Sequence, residues 1–141
     1  MEHITLPNLF FQKAIENSDK PFLWAKKEGE WKSLSWQETE TKVKQVAAGL
    51  KYHGIMPGDK VIIVSENRPE WIISDLAINT LNAITVPAYV TNTEDDHRYI
   101  IEHSDAKAVI VSDNIIANRI ALALSKVNSC KLLITIDEYS G

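Results

Sequence analysis

The chain has 141 residues, of which 45% are hydrophobic and 24% charged, the mix of an ordinary globular domain. Disordered, collagen-like and low-complexity classes are excluded. Lys and Arg number 15 against 19 Asp and Glu, a net charge of −4, which lacks the basic footprint of a nucleic-acid binder.

The single cysteine, Cys130, excludes a disulfide-stapled scaffold. Met1-Glu2-His3-Ile4 has no basic region leading into an apolar core, so no signal peptide is expected. No apolar run reaches the ~18 residues of a membrane-crossing helix. These features predict a reduced, soluble, intracellular domain.

In chain order, Leu6–Asn17 reads as a short helix, with Leu9, Phe10, Lys13 and Ala14 sharing a face. Ser18-Asp19-Lys20-Pro21 ends it. Phe22–Ala25 and Trp31–Leu34, joined through Glu28-Gly29, predict a β-hairpin in which Gly29 supplies positive φ. Trp24, Trp31 and Trp36 cluster there, and packing is the expected reason. Ser35 with Glu38 forms a capping box. The helix behind it carries Val43, Val46, Ala47 and Leu50 on one stripe and closes at Gly54. Pro57-Gly58-Asp59 makes a turn.

From Lys60 the pattern changes to continuous apolar runs: Val61–Val64, Ile84–Val86, Ala108–Val111 and Leu132–Ile134. Such runs suit strands buried on both faces of a parallel sheet. The segments between them read as helices: Glu70–Asn82 behind Pro69, one capped by Thr93 with Asp96 and running through Glu102, and one capped by Asp113. The last carries Ile116, Ile120, Leu124 and Val127 on one face. The fold class is therefore α/β: a partial Rossmann-like parallel β/α sheet over 60–141, preceded by a helix, a hairpin and a helix over 1–59, in one partial domain.

Candidate chemistry is sparse. The five glycines are scattered, and no GxGxxG follows a strand. Gly54–Lys60 superficially resembles a phosphate loop, but its spacing is short and it precedes a strand, so turn chemistry is expected. His97 and His103 are six apart, too far round a helix to share a metal. Solvated structural roles are expected for both, as for His3 and His53. Cys130 reads as a buried structural thiol. The two best segments are Ser65-Glu66-Asn67-Arg68 and Ala88–Thr93. Each follows a strand and opens a helix, where ligands of open α/β sheets collect. On spacing alone, helix capping and turn formation are the better account of the same residues.

Those loops carry a resemblance. Gly58-Asp59-Lys60-Val61, Ser65 through Trp71, Asp75-Leu76-Ala77 and Val86 through Thr93 are similar to the N-terminal part of AMP-forming acyl-CoA synthetases. Among these, the long-chain fatty-acid–CoA ligases match most closely. Ser35-Trp36 and Ala47-Ala48-Gly49-Leu50 match as well. Ala88-Tyr89-Val90 departs from the family's usual Tyr-Pro, and Leu81-Asn82-Ala83 from its small, glycine-containing sequences.

The resemblance implies a parent enzyme using ATP, Mg2+ and CoA. A fatty carboxylate becomes an acyl-adenylate and is then passed to the CoA thiol. The family's phosphate loop, acidic metal ligand, ribose-binding Asp and catalytic Lys match nothing in these residues. The chain is thus expected to be an N-terminal fragment without catalytic or metal residues of its own, binding no cofactor stably and prone to self-association. Tyr89, Thr91, Asn92 and Thr93 are the residues expected to border the CoA channel. Cytoplasmic location, with peripheral association to the inner face of a membrane, is also implied. The alternatives are an adenylating enzyme for an aryl, short-chain or amino acid, a non-catalytic interaction module, or an unrelated nucleotide-binding half-domain.

Overall fold

The structure is a computed structural model that describes residues 4–140; His3 and Gly141 lie outside them. Helix α1 (Leu6–Asn17) is capped by the Thr5 side chain, which accepts from the Asn8 amide, and has Pro7 in its first turn. Its buried face is Pro7, Phe10 and Ala14. Leu9, expected on that face, is exposed. The helix is oriented by Phe10, whose ring packs on Phe22 and Trp36, and these two stack on each other at 3.8 Å.

Strands β1 (Pro21–Lys27) and β2 (Glu30–Ser35) pair antiparallel. Glu28 (φ 53°) and Gly29 (φ 86°) both take left-handed conformations. That is the two-residue turn whose twist matches the strands. Leu23 faces Leu34 across the ladder, and both pack on the core. Trp24 and Trp31 point the other way and are 55% and 66% exposed. Packing therefore accounts for Trp36 but not for the other two tryptophans of the cluster.

The capping box of α2 (Trp36–Tyr52) is complete. The Glu38 amide donates to Ser35 Oγ at 3.1 Å, and the Ser35 amide to Glu38 Oε2 at 2.7 Å. Thr39, Val43, Ala47 and Leu50 are buried, with Val46 half-buried beside them. Gly54 (φ 90°) and Gly58 (φ 85°) turn the chain into the sheet. The loop that superficially resembled a phosphate cradle is thus a pair of turns.

The sheet comprises β3 (Lys60–Val64), β4 (Ile84–Ala88), β5 (Ala108–Val111) and β6 (Leu132–Thr135). The strands lie in the order β4-β3-β5-β6, all parallel. They are connected by α3 (Pro69–Thr80), α4 (Glu94–Ser104) and α5 (Asn114–Leu124). Alternate residues of one strand enter different cores. Val61, Ile63, Ala108 and Ile110 pack with α1, α2 and α3. Ile62, Val64, Val109 and Val111 pack with α4 and α5. This double burial is why β3 and β5 read as unbroken apolar runs; β4 and β6, at the two ends of the strand order, are only half-buried, and Ile84 is 49% exposed, contrary to the expectation for those two runs. Pro87 sits in β4, an edge strand among the described residues, where a missing amide donor is tolerated.

Helix α3 ends at Thr80, two residues short of the expected Asn82, because Asn82 adopts φ 56°. Most of its apolar circumference is covered: Ile73, Leu76, Ala77 and Ile78 are buried, while Trp71 is half-buried and Ile72 exposed. Val46, Leu50 and Ile73 together with Ile110, Ile134 and Ile136 line a groove of about 470 Å³ beside β5 and β6.

Candidate functional site

In this strand order, the connection leaving β3 runs over one face of the sheet and the one leaving β5 over the other. The carboxyl ends of the strands therefore open a crevice, the place where parallel α/β sheets bind ligands. The β3–α3 loop forms one wall. Ser65 Oγ donates to the Glu66 carbonyl at 2.9 Å. Arg68 occupies the N-cap position of α3 without capping it. Its Nε donates to Glu70 Oε2 at 2.8 Å and its Nη2 to Asp137 Oδ1 at 2.9 Å. Two carboxylates raise the Arg68 pKa further. Burial pushes the Glu70 carboxyl upward, but the hydrogen bonds from Arg68 and from its own backbone amide, with the Arg68 and Lys27 charges, together hold the group below its usual range. Arg68 is thus a tether between the β3–α3 loop and the segment after β6.

The β4–α4 loop forms the second wall. Tyr89 joins Ser65, Asn67, Trp71, Pro87 and Ala88 around a cleft of about 290 Å³. Its ring is 80% exposed. Thr91 is exposed and does not line this cleft. Thr93 is committed to the cap of α4: its Oγ1 accepts from the Asp96 amide at 3.2 Å and donates to Asp96 Oδ2 at 2.7 Å. Asn92 is held through its backbone, since its carbonyl accepts from Arg119 Nη1 at 2.8 Å. Of the four residues expected to border a cofactor channel, Tyr89 alone reaches the cleft between the two loops. Thr91 is free beside it, and Asn92 and Thr93 fix the loop's shape.

Arg119 is the residue the sequence reading missed. Its Nη1 also donates to the Val90 carbonyl at 2.9 Å, so one guanidinium on α5 pins the β4–α4 loop at two points. A signal existed: Arg119 is the one charged residue in the largely apolar helix Asn114–Leu124.

His97 departs from its expected solvated role. It is 1% exposed, and its Nε2 has no hydrogen-bond partner. Burial, and secondarily the Arg119 charge, push its pKa below the usual imidazole value, although Asp96 pulls the other way. The folded state therefore resists a proton that the unfolded chain accepts below about pH 6.5. Stability should fall as pH drops from about 6.5 toward the lowered native pKa, and this group should contribute no slope above that window. Urea midpoints across the window are the test. A His97→Leu variant should lose that segment of the pH dependence, and an unchanged slope would show that other groups cause it.

His103 is exposed and stacks on Tyr99. Cys130 is buried, and burial pushes its thiol pKa up, as a structural rather than a reactive thiol requires. Among the described residues no three His, Cys, Asp or Glu side chains gather closely enough to hold a metal. The residues here thus do not fit a Mg2+ site. No helix among them is long and apolar enough to cross a membrane.

A parallel, doubly covered α/β sheet with two ligand-type loops at its carboxyl edge defines the class. The chain belongs to the AMP-binding enzyme family, whose model matches residues 10–140. It is 28% identical over 120 residues to the long-chain-fatty-acid–CoA ligase FadD15 of Mycobacterium tuberculosis, covering 85% of this chain and 20% of that protein. It is 38% identical over 107 residues to long-chain-fatty-acid–CoA ligase 6 of Rattus norvegicus, covering 74% of this chain and 14% of that one. In structure it is similar to a benzoate CoA ligase from Burkholderia xenovorans, with a TM-score of 0.79, 22% identity, and coverage of 91% of this chain and 25% of the other. The chain thus spans about a fifth or less of the length of these curated relatives.

Proposed function

We propose that the chain is the N-terminal part of an ATP-dependent acyl-CoA ligase, activating long-chain fatty acids through an acyl-adenylate and passing them to CoA. The observation that carries this reading is the continuous match of 120 residues to a long-chain ligase, which includes both loops at the carboxyl edge of the sheet. In such a parent, ATP with Mg2+ would supply the activated phosphoryl group. The residues described above do not provide that part. They build a rigid wall. Arg68 ties the β3–α3 loop to the segment after β6, Arg119 ties the β4–α4 loop to α5, and Tyr89 presents an aromatic face between them.

A wall of this kind acts on the second half-reaction. In a full-length protein, Tyr89→Ala and Thr91→Ala should raise the KM for CoA about tenfold, the loss of roughly one contact's worth of binding, while adenylate formation is unchanged. Equal losses in both half-reactions would assign Tyr89 and Thr91 a purely structural role.

The likeness to a benzoate CoA ligase supports a second reading, an adenylating enzyme for an aryl acid. Pyrophosphate exchange with palmitate and with benzoate separates the two, since only the acid that fits the parent's pocket should stimulate it.

A further inference from the structure

We propose that His97 is an acid-sensitive latch on the β4–α4 loop: a proton on its imidazole releases the loop that carries Tyr89 from its tie to Arg119. The geometry starts from two adjacent carbonyls. That of Asn92 accepts from Arg119 Nη1 at 2.8 Å, and that of Thr93 accepts from the His97 amide at 3.1 Å. His97 thus stands one helical turn beyond the tie. Its helix, α4, packs on α5, the helix from which Arg119 reaches the loop. The second point of the tie is the Val90 carbonyl, at 2.9 Å from the same guanidinium nitrogen.

The imidazole is placed to feel this tie. It is buried, and its Nε2 has no hydrogen-bond partner. A neutral ring asks for one donor and one acceptor contact. An imidazolium brings two N–H donors and a full charge into the same space, at greater cost. Among the charges around it, Arg119 on α5 repels the added proton and Asp96 on α4 attracts it. Asp96 is already engaged, since its Oδ2 accepts from the Thr93 amide at 2.9 Å and from the Thr93 hydroxyl at 2.7 Å. Glu94 is paired with Lys126 at 2.5 Å, and Asp95 with Arg98 at 3.6 Å. The strand against α4, β4, carries no titratable side chain. The sheet residues of this core, Ile62, Val64, Val109 and Val111, are apolar.

A protonated His97 therefore puts a second cation beside Arg119 with no free carboxylate between the elements to absorb it. Arg119 is the partner that yields. Its guanidinium keeps its charge, and its bonds run to neutral carbonyls. Its withdrawal frees Val90 and Asn92. With them goes the turn in which the Asn92 amide donates to the Tyr89 carbonyl at 3.2 Å, and the Tyr89 ring loses its fixed place in the cleft beside Ser65 and Trp71. The latch is closed while the imidazole is neutral and opens once it is charged. The inference concerns this chain itself and holds whichever acid a parent enzyme activates.

Its test is amide hydrogen exchange of the 141-residue chain, read by NMR as protection factors so that the intrinsic effect of pH cancels, with the His97 ring signals followed in the same samples. From about pH 7.5 to about pH 4.5, protection of the Asn92 amide should fall by about tenfold or more, over the interval in which His97 titrates. The Gly58 amide, which donates to the Asn82 carbonyl before β3 begins, at the opposite edge of the sheet, should keep its protection. His97→Leu should hold Asn92 protection constant within about twofold across the interval. Should that variant fail to fold by circular dichroism, His97→Gln, which also never takes up a proton, replaces it with the same expectation. Arg119→Met should leave Asn92 weakly protected at both ends. Three results would overturn the proposal. One is Asn92 protection that stays level while His97 titrates. Another is a loss in the His97 variant equal to that in the unaltered chain. The third is a parallel loss at Gly58, which would mean global unfolding instead of the release of one loop.

Discussion

ATP–pyrophosphate exchange is expected to stay at background when the 141-residue chain is assayed by itself with palmitate. A longer reading frame containing it is expected to exceed that level by about 10³-fold or more. The reasoning concerns where this chain's own groups are spent. Expelling pyrophosphate needs cations and backbone amides aimed at the phosphoryl oxygens, and losing even one such donor costs roughly 10²–10³-fold. Arg68 is paired with Glu70 and Asp137, and Arg119 is held by two carbonyls. Gly54 and Gly58 are used in turns that enter β3 at its amino end, on the far side of the sheet from the ligand edge. Gly29 shapes the hairpin turn, and Gly49 lies within α2. The two arginines nearest the ligand edge are thus committed elsewhere, and the turn glycines lie away from it. Exchange above background by this chain alone would sink that argument. Exchange by the longer protein with palmitate but not benzoate would support the long-chain reading.

The architecture was legible because each element announces itself locally. Ser35 with Glu38 and Thr93 with Asp96 are reciprocal caps, and both formed. The unbroken runs Val61–Val64 and Ala108–Val111 pair in parallel, as strands buried on both faces must. What periodicity could not show is which of two equivalent positions a tertiary contact selects. Phe10 is drawn in by Phe22 and Trp36, and Leu9, one residue away, is left in solvent. The same limit hid the split among the tryptophans, since strand pairing sends Trp24 and Trp31 outward while helix packing draws Trp36 in. His97 looked like a polar residue on a polar helix; its burial follows from how α4 lies against the sheet, a long-range fact. The candidate site was legible as two loops. Its internal division was not, because Arg119 meets the β4–α4 loop from 27 residues or more away in sequence.

Replacing Ile63 by alanine should cost about 3–4 kcal/mol of stability, the upper half of the range for removing a large buried aliphatic side chain. Three features place it there. Ile63 is fully buried. It lies in β3, between β4 and β5, with Pro87 and Ile110 as its register partners. It packs within the cluster that joins the sheet to α1, α2 and α3, so helices on one side and strands on both flanks limit how far the cavity can collapse. A domain of this size holds only about 5–15 kcal/mol in total, so the variant should unfold at a much lower urea concentration, and at 37 °C a sizeable fraction should be unfolded. Ile63→Val, which removes one methyl group, should cost about 1 kcal/mol. Ile115→Ala provides the contrast, because the same chemical change on α5 falls at a side chain 73% exposed and should shift stability by no more than about 0.5 kcal/mol. Urea midpoints of the three variants decide the matter. Similar losses for Ile63→Ala and Ile115→Ala would mean that β3 is not the central strand of a closely packed sheet, and the placement of both loops at its carboxyl edge would fall with it.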